Sequence, residues 1–252
     1  MNLRVVTINV WHGGRVMEPL LAFLKDVDPD ILFIQEARSS KHQELELRLR
    51  MMEYFQAELG YQHSDFVPHY RDYDESDGLD YAGNAIFSKL PIKSRKIVYY
   101  DTPYSETYRD VPGNYHNCPG TIDYYELETV DSTINAFNIH GPLDFDGDHF
   151  GEGRRKMSDA IISMTSDLEK VILAGDTNSK PTNEAFTRIT HLNNVFGDSL
   201  TSTFNMRHKD NPGYATAVVD MMLVSPDIKI LTRECPDIDV SDHRPLVVQL
   251  EV

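Results

Sequence analysis

The polar residues that end or interrupt the apolar runs of this chain are of the types that gather at a hard-oxygen metal site. Asn9 falls near the end of LRVVTINV, Glu36 directly follows ILFIQ, and His140 closes NAFNIH. Asp176 and Asn178 follow VILAG, Asp220 is embedded in AVVDMMLV, and Asp242-His243 precedes the last apolar run. A charged group at the end of a buried strand is costly unless it has a partner or a ligand. If these strands belong to one pair of sheets, their polar ends converge on one rim. Carboxylates gathered there suit Mg²⁺, which prefers hard oxygen ligands and water. The short signatures of P-loops, serine hydrolases, zinc proteases and dinucleotide folds are absent from the sequence, so the chemistry rests on the distributed set. Taken singly, a strand-end Asp is more often a cap, and a lone His more often a satisfied core group.

The elements that must position these residues follow from periodicity. Leu3–Val10 and Ile31–Gln35 read as strands, and Val16, Leu20, Leu24 and Val27 mark an amphipathic helix between them. Leu45, Leu49, Met52, Phe55 and Leu59 give a second helix, closed by Gly60. Ala82–Ser88, Ile92–Tyr100, Tyr124–Thr129 and Thr133–His140 are strand-like, with turn chemistry between them. A helix over Glu152–Leu168 precedes strands at Val171–Gly175, Ala217–Val224, Ile228–Arg233 and Pro245–Val252. Many strands, few helices, and neither linker nor repeat predict a single domain over 1–252, with two stacked sheets and helices outside. Asp65–Asp80 and Asp101–Asp123 fit no regular element and carry Tyr70, Tyr73, Tyr104, Tyr108 and Tyr115. They are expected to be loops that select substrate, with packed surface loops as the alternative.

Composition sets bounds on partners. The 252 residues carry 24 Lys+Arg against 40 Asp+Glu, a formal net charge of −16. Long-range attraction to duplex nucleic acid or anionic membranes is therefore not expected. The substrate is small, or a local basic patch works against the overall field, or divalent cations carry the charge. Hydrophobic residues at 40% support a real core, and two cysteines are too few for a disulfide framework or a Cys-based zinc site. No run reaches the roughly 18 apolar residues of a membrane helix, and the N-terminal stretch reads as a strand rather than a signal peptide. A cytoplasmic monomer is expected.

The successive motifs Thr7-Ile8-Asn9, Ile34-Gln35-Glu36, GNAIFSKLPI at 83–92, Asn138-Ile139-His140, Gly175-Asp176-Thr177-Asn178 and Ser241-Asp242-His243-Arg244-Pro245 occur in that order. Together they resemble the endonuclease/exonuclease/phosphatase superfamily, of deoxyribonuclease I-like fold, over nearly the whole chain. The resemblance implies an α/β (α+β) four-layer sandwich, with two mostly antiparallel sheets flanked by helices. It also implies Mg²⁺- or Mn²⁺-dependent phosphoester hydrolysis. On that reading Glu36 is the main metal ligand, with Asn9 and Asp242 completing or supporting the shell. Asp176 orients and deprotonates the attacking water, and Asn178 helps hold water and phosphate oxygen. His140 and His243 donate to the phosphate as charge builds, and Asp220 holds one of the two histidines, which one being left open.

Arg154 or Arg155, on the helix after His140, is a candidate phosphate contact, with a solvated helix end as the alternative. His149 is expected to be a loop residue. His140 at its motif is similar to the deoxyribonuclease I, sphingomyelinase and deadenylase branches. The Tyr-containing motif of abasic-site endonucleases has no counterpart, and SDHRPL lacks the Trp found in tyrosyl-DNA phosphodiesterases. The expected activity is that of a nuclease acting on DNA or RNA, with ends or single strands favoured because exposed tyrosines can stack bases. The alternatives are hydrolysis of a small or lipid phosphoester, of inositol phosphate or sphingomyelin type, and a catalytically silent binding module.

Overall fold

A strand that is apolar at successive positions needs cover on both faces, and the architecture supplies it. The computed structural model describes residues 1–111, 113–143 and 148–252. Its strands are β1 (Asn2–Asn9), β2 (Ile31–Ser39), β3 (His63–Asp72), β4 (Asp80–Ser88), β5 (Ile92–Tyr99), β6 (Thr121–Glu128) and β7 (Thr133–His140). They continue with β8 (Val171–Asp176), β9 (Asn193–Asn194), β10 (Asp220–Val224), β11 (Lys229–Glu234) and β12 (Leu246–Glu251). The longer helices are α1 (Met17–Val27), α2 (Met51–Leu59) and α3 (Glu152–Thr165). Among the described residues one six-stranded sheet runs β11-β12-β1-β2-β4-β3 and the other β5-β6-β7-β8-β10-β9. Pairing is antiparallel except between β1 and β2 and between β7 and β8. Each parallel pair is joined by a crossover helix, α1 or α3, as parallel strands require.

Alternation along each strand divides the core into three layers. Val5, Ile31 and Phe33 face Tyr125, Leu127, Ala136, Ile172 and Met222 between the sheets. The intervening Val6, Ile8, Leu32 and Ile34 pack outward on Leu20 and Leu24 of α1 and Phe55 of α2. On the other side, Phe137, Ile139 and Leu173 pack on Met157 and Ile161 of α3. Helix, sheet, sheet and helix layers give the expected four-layer sandwich.

Two sequence expectations change. The stretch 65–80 is not irregular: residues up to Asp72 continue β3, whose apolar alternation is obscured by Pro68 and several polar residues. Gly83 of β4 lies so close to the Val67 carbonyl of β3 that a Cβ there would overlap it. The second helix is split, with a 3₁₀ turn at Leu47–Arg50 before α2, which ends on Gly60 in the left-handed conformation at φ 69°. Between Asp101 and Gly120 the described chain is irregular apart from a 3₁₀ turn at Tyr115–Asn117. It is anchored by a bridge between Ser105 and Tyr70 and by packing of Tyr70 on Tyr108. Pro112 of that stretch, and residues 144–147 after His140, lie outside the described residues.

A buried polar chain crosses the inter-sheet space near the rim. Asn84 Nδ2 donates to Asp123 Oδ2 at 2.9 Å and to Thr121 Oγ1 at 3.2 Å, and His69 Nε2 lies 2.8 Å from the same hydroxyl. Burial pushes the Asp123 carboxyl from 3.8 up to about 7. A raised folded-state value stabilises fully below pH 3.8, and that contribution is lost as pH rises through 7. Asp123→Asn, which cannot ionise, is therefore expected to match the native protein near pH 4. At pH 8 it should be more stable by up to about 4 kcal/mol, from roughly 1.4 kcal/mol per pKa unit. Urea unfolding at the two pH values measures this, and equal differences at both would refute the assignment.

Candidate active site

Register brings the chemical groups together. β7 pairs His140 with Asp176 of β8, and β10 pairs Asp220 with the same Asp176, so three neighbouring strands present them side by side. In the other sheet Asn9 pairs with Gln35, and Glu36 comes next. There β2 slips register against β4 between Ile34 and Ala37, and Glu36 adopts a left-handed φ of 56°. A bulge of this kind re-aims a side chain, and a non-glycine residue held there marks strain retained for function. The carboxyl ends of the two parallel pairs thus meet at one rim, where crevices of α/β sheets take ligands.

The Asn9 amide ties the two sheets. Its Nδ2 donates to Glu36 Oε1 at 2.8 Å and to Asp176 Oδ2 at 3.0 Å, while its Oδ1 accepts from the Trp11 N–H at 3.0 Å. Glu36 Oε2 accepts from the His12 N–H at 2.8 Å. Burial alone would raise the Glu36 carboxyl, yet the imidazoles of His12 and His140 and the Asn9 amide hold it well below the usual range. Asp176 is buried. Its Oδ2 lies 3.8 Å from Nε2 of both His140 and His243, and its Oδ1 accepts from the Asn178 N–H at 2.9 Å. His243 Nδ1 lies 2.9 Å from Asp220 Oδ2. Burial would lower the His243 imidazolium, but Asp220 and Asp176 push it up to about 10. The histidine that Asp220 serves, undecided in the sequence, is His243.

Asn178 has φ 48° and its Nδ2 donates to the Gly141 carbonyl at 3.1 Å, so it locks the loop after β8 onto the loop after β7. Arg154, one of the two candidate phosphate contacts, is buried in α3 and donates to the carbonyls of Asn178 at 2.9 Å and His149 at 2.6 Å. It supports the Asn178 loop. Arg155 is exposed and pairs with Asp159 at 3.0 Å, the solvated helix alternative. His149 is exposed in the loop before α3, as expected. Asp242 reaches Asn9 only through its neighbour: Ser241 Oγ donates to the Asn9 carbonyl at 2.7 Å, while Asp242 Oδ2 pairs with Lys209 at 2.5 Å. Its carboxylate is neutralised by an ammonium rather than joined to the Asn9–Glu36–Asp176 group.

Sequence reasoning missed the residues that hold Glu36 from behind. Arg38 is buried and pairs with Asp72, with Asp80 at 3.1 Å and with Glu75 at 3.7 Å, while its Nη2 lies 3.2 Å from His12 Nδ1. Asp72 and Asp80 come from the stretch expected to select substrate; here they neutralise a buried arginine. Gly13 passes so close to Arg38 and the Arg48 carbonyl that a Cβ would overlap both. His69 is also buried, its ring 6.0 Å from that of His140. The available signals were Arg38 two residues after Glu36 and the paired glycines two residues after Trp11.

Asp176, Asp220 and His243 bring ligand atoms within 4.8 Å of one another. His243 and Asp220 pair with each other, and the oxygens of Glu36 and Asp176 are the carboxylate donors on the Asn9 side that could hold a cation. A half-buried and a buried carboxylate sharing one amide donor form a hard-oxygen set that fits Mg²⁺ or Mn²⁺. Asn9 positions that set with its amide nitrogen. No helix of the described residues is long and apolar enough to cross a membrane.

Solved structures match the fold over the whole chain. An endonuclease/exonuclease/phosphatase from Beutenbergia cavernae aligns with a TM-score of 0.76 and 16% identity, covering 100% of this chain and 72% of that one. The mannosyl-6-phosphatase of Bacteroides thetaiotaomicron aligns at 0.69 and 18%, covering 99% and 100%. The catalytic domain of human Nocturnin, with bound sulfate, aligns at 0.70 and 17%, covering 99% and 93%. Comparison with curated protein sequences finds no match. The sequence profile of the Endonuclease/Exonuclease/phosphatase family matches residues 6–243, from β1 to the histidine paired with Asp220, and the chain belongs to that family.

Proposed function

We propose that the protein is a divalent-metal-dependent phosphodiesterase that hydrolyses DNA or RNA at ends or in single strands. The observation that carries this reading is the Asp176 carboxylate, fixed by Asn9 and Asn178 and placed 3.8 Å from two imidazoles. Asp176 orients the attacking water and takes its proton, and His140 and the Asp220-held His243 donate to the phosphate as negative charge builds. Asn178 keeps the loop that carries these groups closed on Gly141. Glu36 and Asp176, positioned by Asn9, hold the cation, which when bound polarises a phosphoryl oxygen and offsets the carboxylate charge. Family membership supports this reading, and the Nocturnin catalytic domain, of like fold, holds a sulfate anion.

Hydrolysis of a small phosphoester is the second reading, and the disposition of basic groups favours it. Lys209 pairs with Asp242, Arg109 with Asp74 and Arg155 with Asp159, so these cations are already engaged by carboxylates rather than left to meet successive phosphates. The likeness to a mannosyl-6-phosphatase points the same way. Fluorophore-labelled single- and double-stranded DNA and RNA, incubated with Mg²⁺, Mn²⁺ or EDTA, distinguish the two. Cleavage of single strands that EDTA reduces to background is expected. Intact polymers, with phosphate released from a sugar or lipid phosphoester, would move the assignment to the second reading. Absence of turnover on every phosphoester would leave a binding module.

A further inference from the structure

Trp11 is the single tryptophan of the chain, and its backbone stands in the left-handed region at φ 58°. His12, Gly13 and Gly14 follow at 49°, 81° and 96°, so four successive residues hold a conformation that costs a non-glycine residue energy. Such strain persists only where surrounding contacts impose it. Here they are visible: Arg48 donates to the His12 carbonyl at 3.2 Å, and Glu75 pairs with Arg15 at 2.8 Å and with Arg48 at 2.5 Å.

The strained turn, two residues past Asn9, seats the indole against His208. The Trp11 backbone N–H donates to Asn9 Oδ1, and the indole ring centroid lies 5.0 Å from that of His208, tilted by 47°. The next residue, Lys209, is the partner of Asp242. The Arg15 guanidinium lies 5.3 Å from the ring centroid. The indole keeps part of its surface open to solvent, and no residue of the hydrophobic core clusters claims it. A large aromatic face held under strain one residue past Val10, at the edge of the phosphate site, is positioned to meet whatever is attached to the phosphate.

We infer that Trp11 is the floor of a ring-binding subsite that stacks a nucleobase attached to the scissile phosphate, a step that rests on the nuclease reading above. Indole faces stack any base, and the flanking Arg15 and His208 favour a flat, electron-rich ring over an aliphatic chain. The subsite accounts for short single-stranded substrates without a basic track, since affinity comes from one base rather than many phosphates.

Because the chain has one indole, its fluorescence reports the subsite directly. The Asp176→Asn protein with Mg²⁺ is titrated with a thymidine dinucleotide, with methyl glycerol phosphate and with glucose 6-phosphate. Saturable quenching by the dinucleotide alone is expected. In the otherwise native enzyme Trp11→Leu should raise KM for the dinucleotide about tenfold, within the range for one stacked base, and leave kcat within about twofold. Trp11→Phe should recover most of that loss. All three residues share the same left-handed cost, so the comparison isolates the ring. An unchanged KM in Trp11→Leu, with native cleavage of the dinucleotide, overturns the subsite and leaves the nuclease reading standing. Equal losses on methyl glycerol phosphate overturn it in favour of a structural role. Quenching by glucose 6-phosphate without quenching by the dinucleotide overturns the nucleobase class. Failure of the native enzyme to cleave the dinucleotide overturns the nuclease reading itself.

Discussion

Asp176→Asn is expected to lower metal-dependent turnover by at least about 10³-fold, the scale for removing a positioned acid–base group. The geometry makes the amide a poor isostere. Both oxygens of Asp176 accept from donors, Asn9 Nδ2 at 3.0 Å and the Asn178 N–H at 2.9 Å. An amide must turn its NH₂ toward one of them, losing a hydrogen bond inside a buried site, at a cost of about 1–3 kcal/mol. It cannot take a proton from water at neutral pH, and it removes one carboxylate of the Glu36–Asp176 pair that Asn9 bridges. Turnover should therefore fall with kcat, and Mg²⁺ affinity, followed by isothermal titration, should weaken as well. Thermal unfolding separates this from misfolding: a Tm within several degrees of native alongside the lost activity is the expected outcome. Retention of more than about a tenth of native turnover would remove Asp176 from the role of base.

How far the sequence reached depended on whether a residue's job was local. Val5-Val6, Leu32-Phe33-Ile34 and Ile172-Leu173 could be read as doubly covered strands because burial on both faces leaves a continuous apolar run. The polar strand ends stood out against those runs, and the structure brings Asn9, Glu36, His140, Asp176, Asp220 and His243 to one rim. β3 was hidden because HSDFVPHYRD lies at the edge of its sheet, paired with β4 and bridged to Ser105 at Tyr70, and has many polar side chains. Arg38 was hidden because an arginine three residues past the apolar run ILFIQ reads as solvated until Asp72 and Asp80, more than thirty positions away, are seen to pair with it. Asp242 and Arg154 show the converse. Their motifs suggested ligand and phosphate roles, and only the structure shows the long-range partners that engage them, Lys209 and the Asn178 carbonyl. Residue type and local pattern identify which groups are costly to bury; only the register of distant strands decides what satisfies them.

The second large effect concerns the Asp220–His243 pair. His243→Ala removes a donor aimed at the developing phosphate charge and is expected to cost about 10²–10⁴-fold in kcat. Asp220→Asn leaves the imidazole in place but replaces the acceptor at 2.9 Å from Nδ1. Without the carboxylate, His243 loses the first of the two charges that push it up to about 10, and burial then favours the neutral ring. A neutral ring can present a lone pair rather than a proton at Nε2, which sits 3.8 Å from Asp176. The loss should therefore approach that of His243→Ala although no group facing the phosphate has been deleted. Because Asp220 acts through His243, the double variant should be no slower than His243→Ala alone, within about threefold. Independent contributions would instead multiply, leaving the double variant slower by the product of both losses. His243→Gln serves as the control for packing against Phe204, whose ring centroid lies 4.6 Å from the imidazole. If multiplication is observed, Asp220 has a role of its own at the phosphate or the cation, and the pairing seen at 2.9 Å is not its principal function.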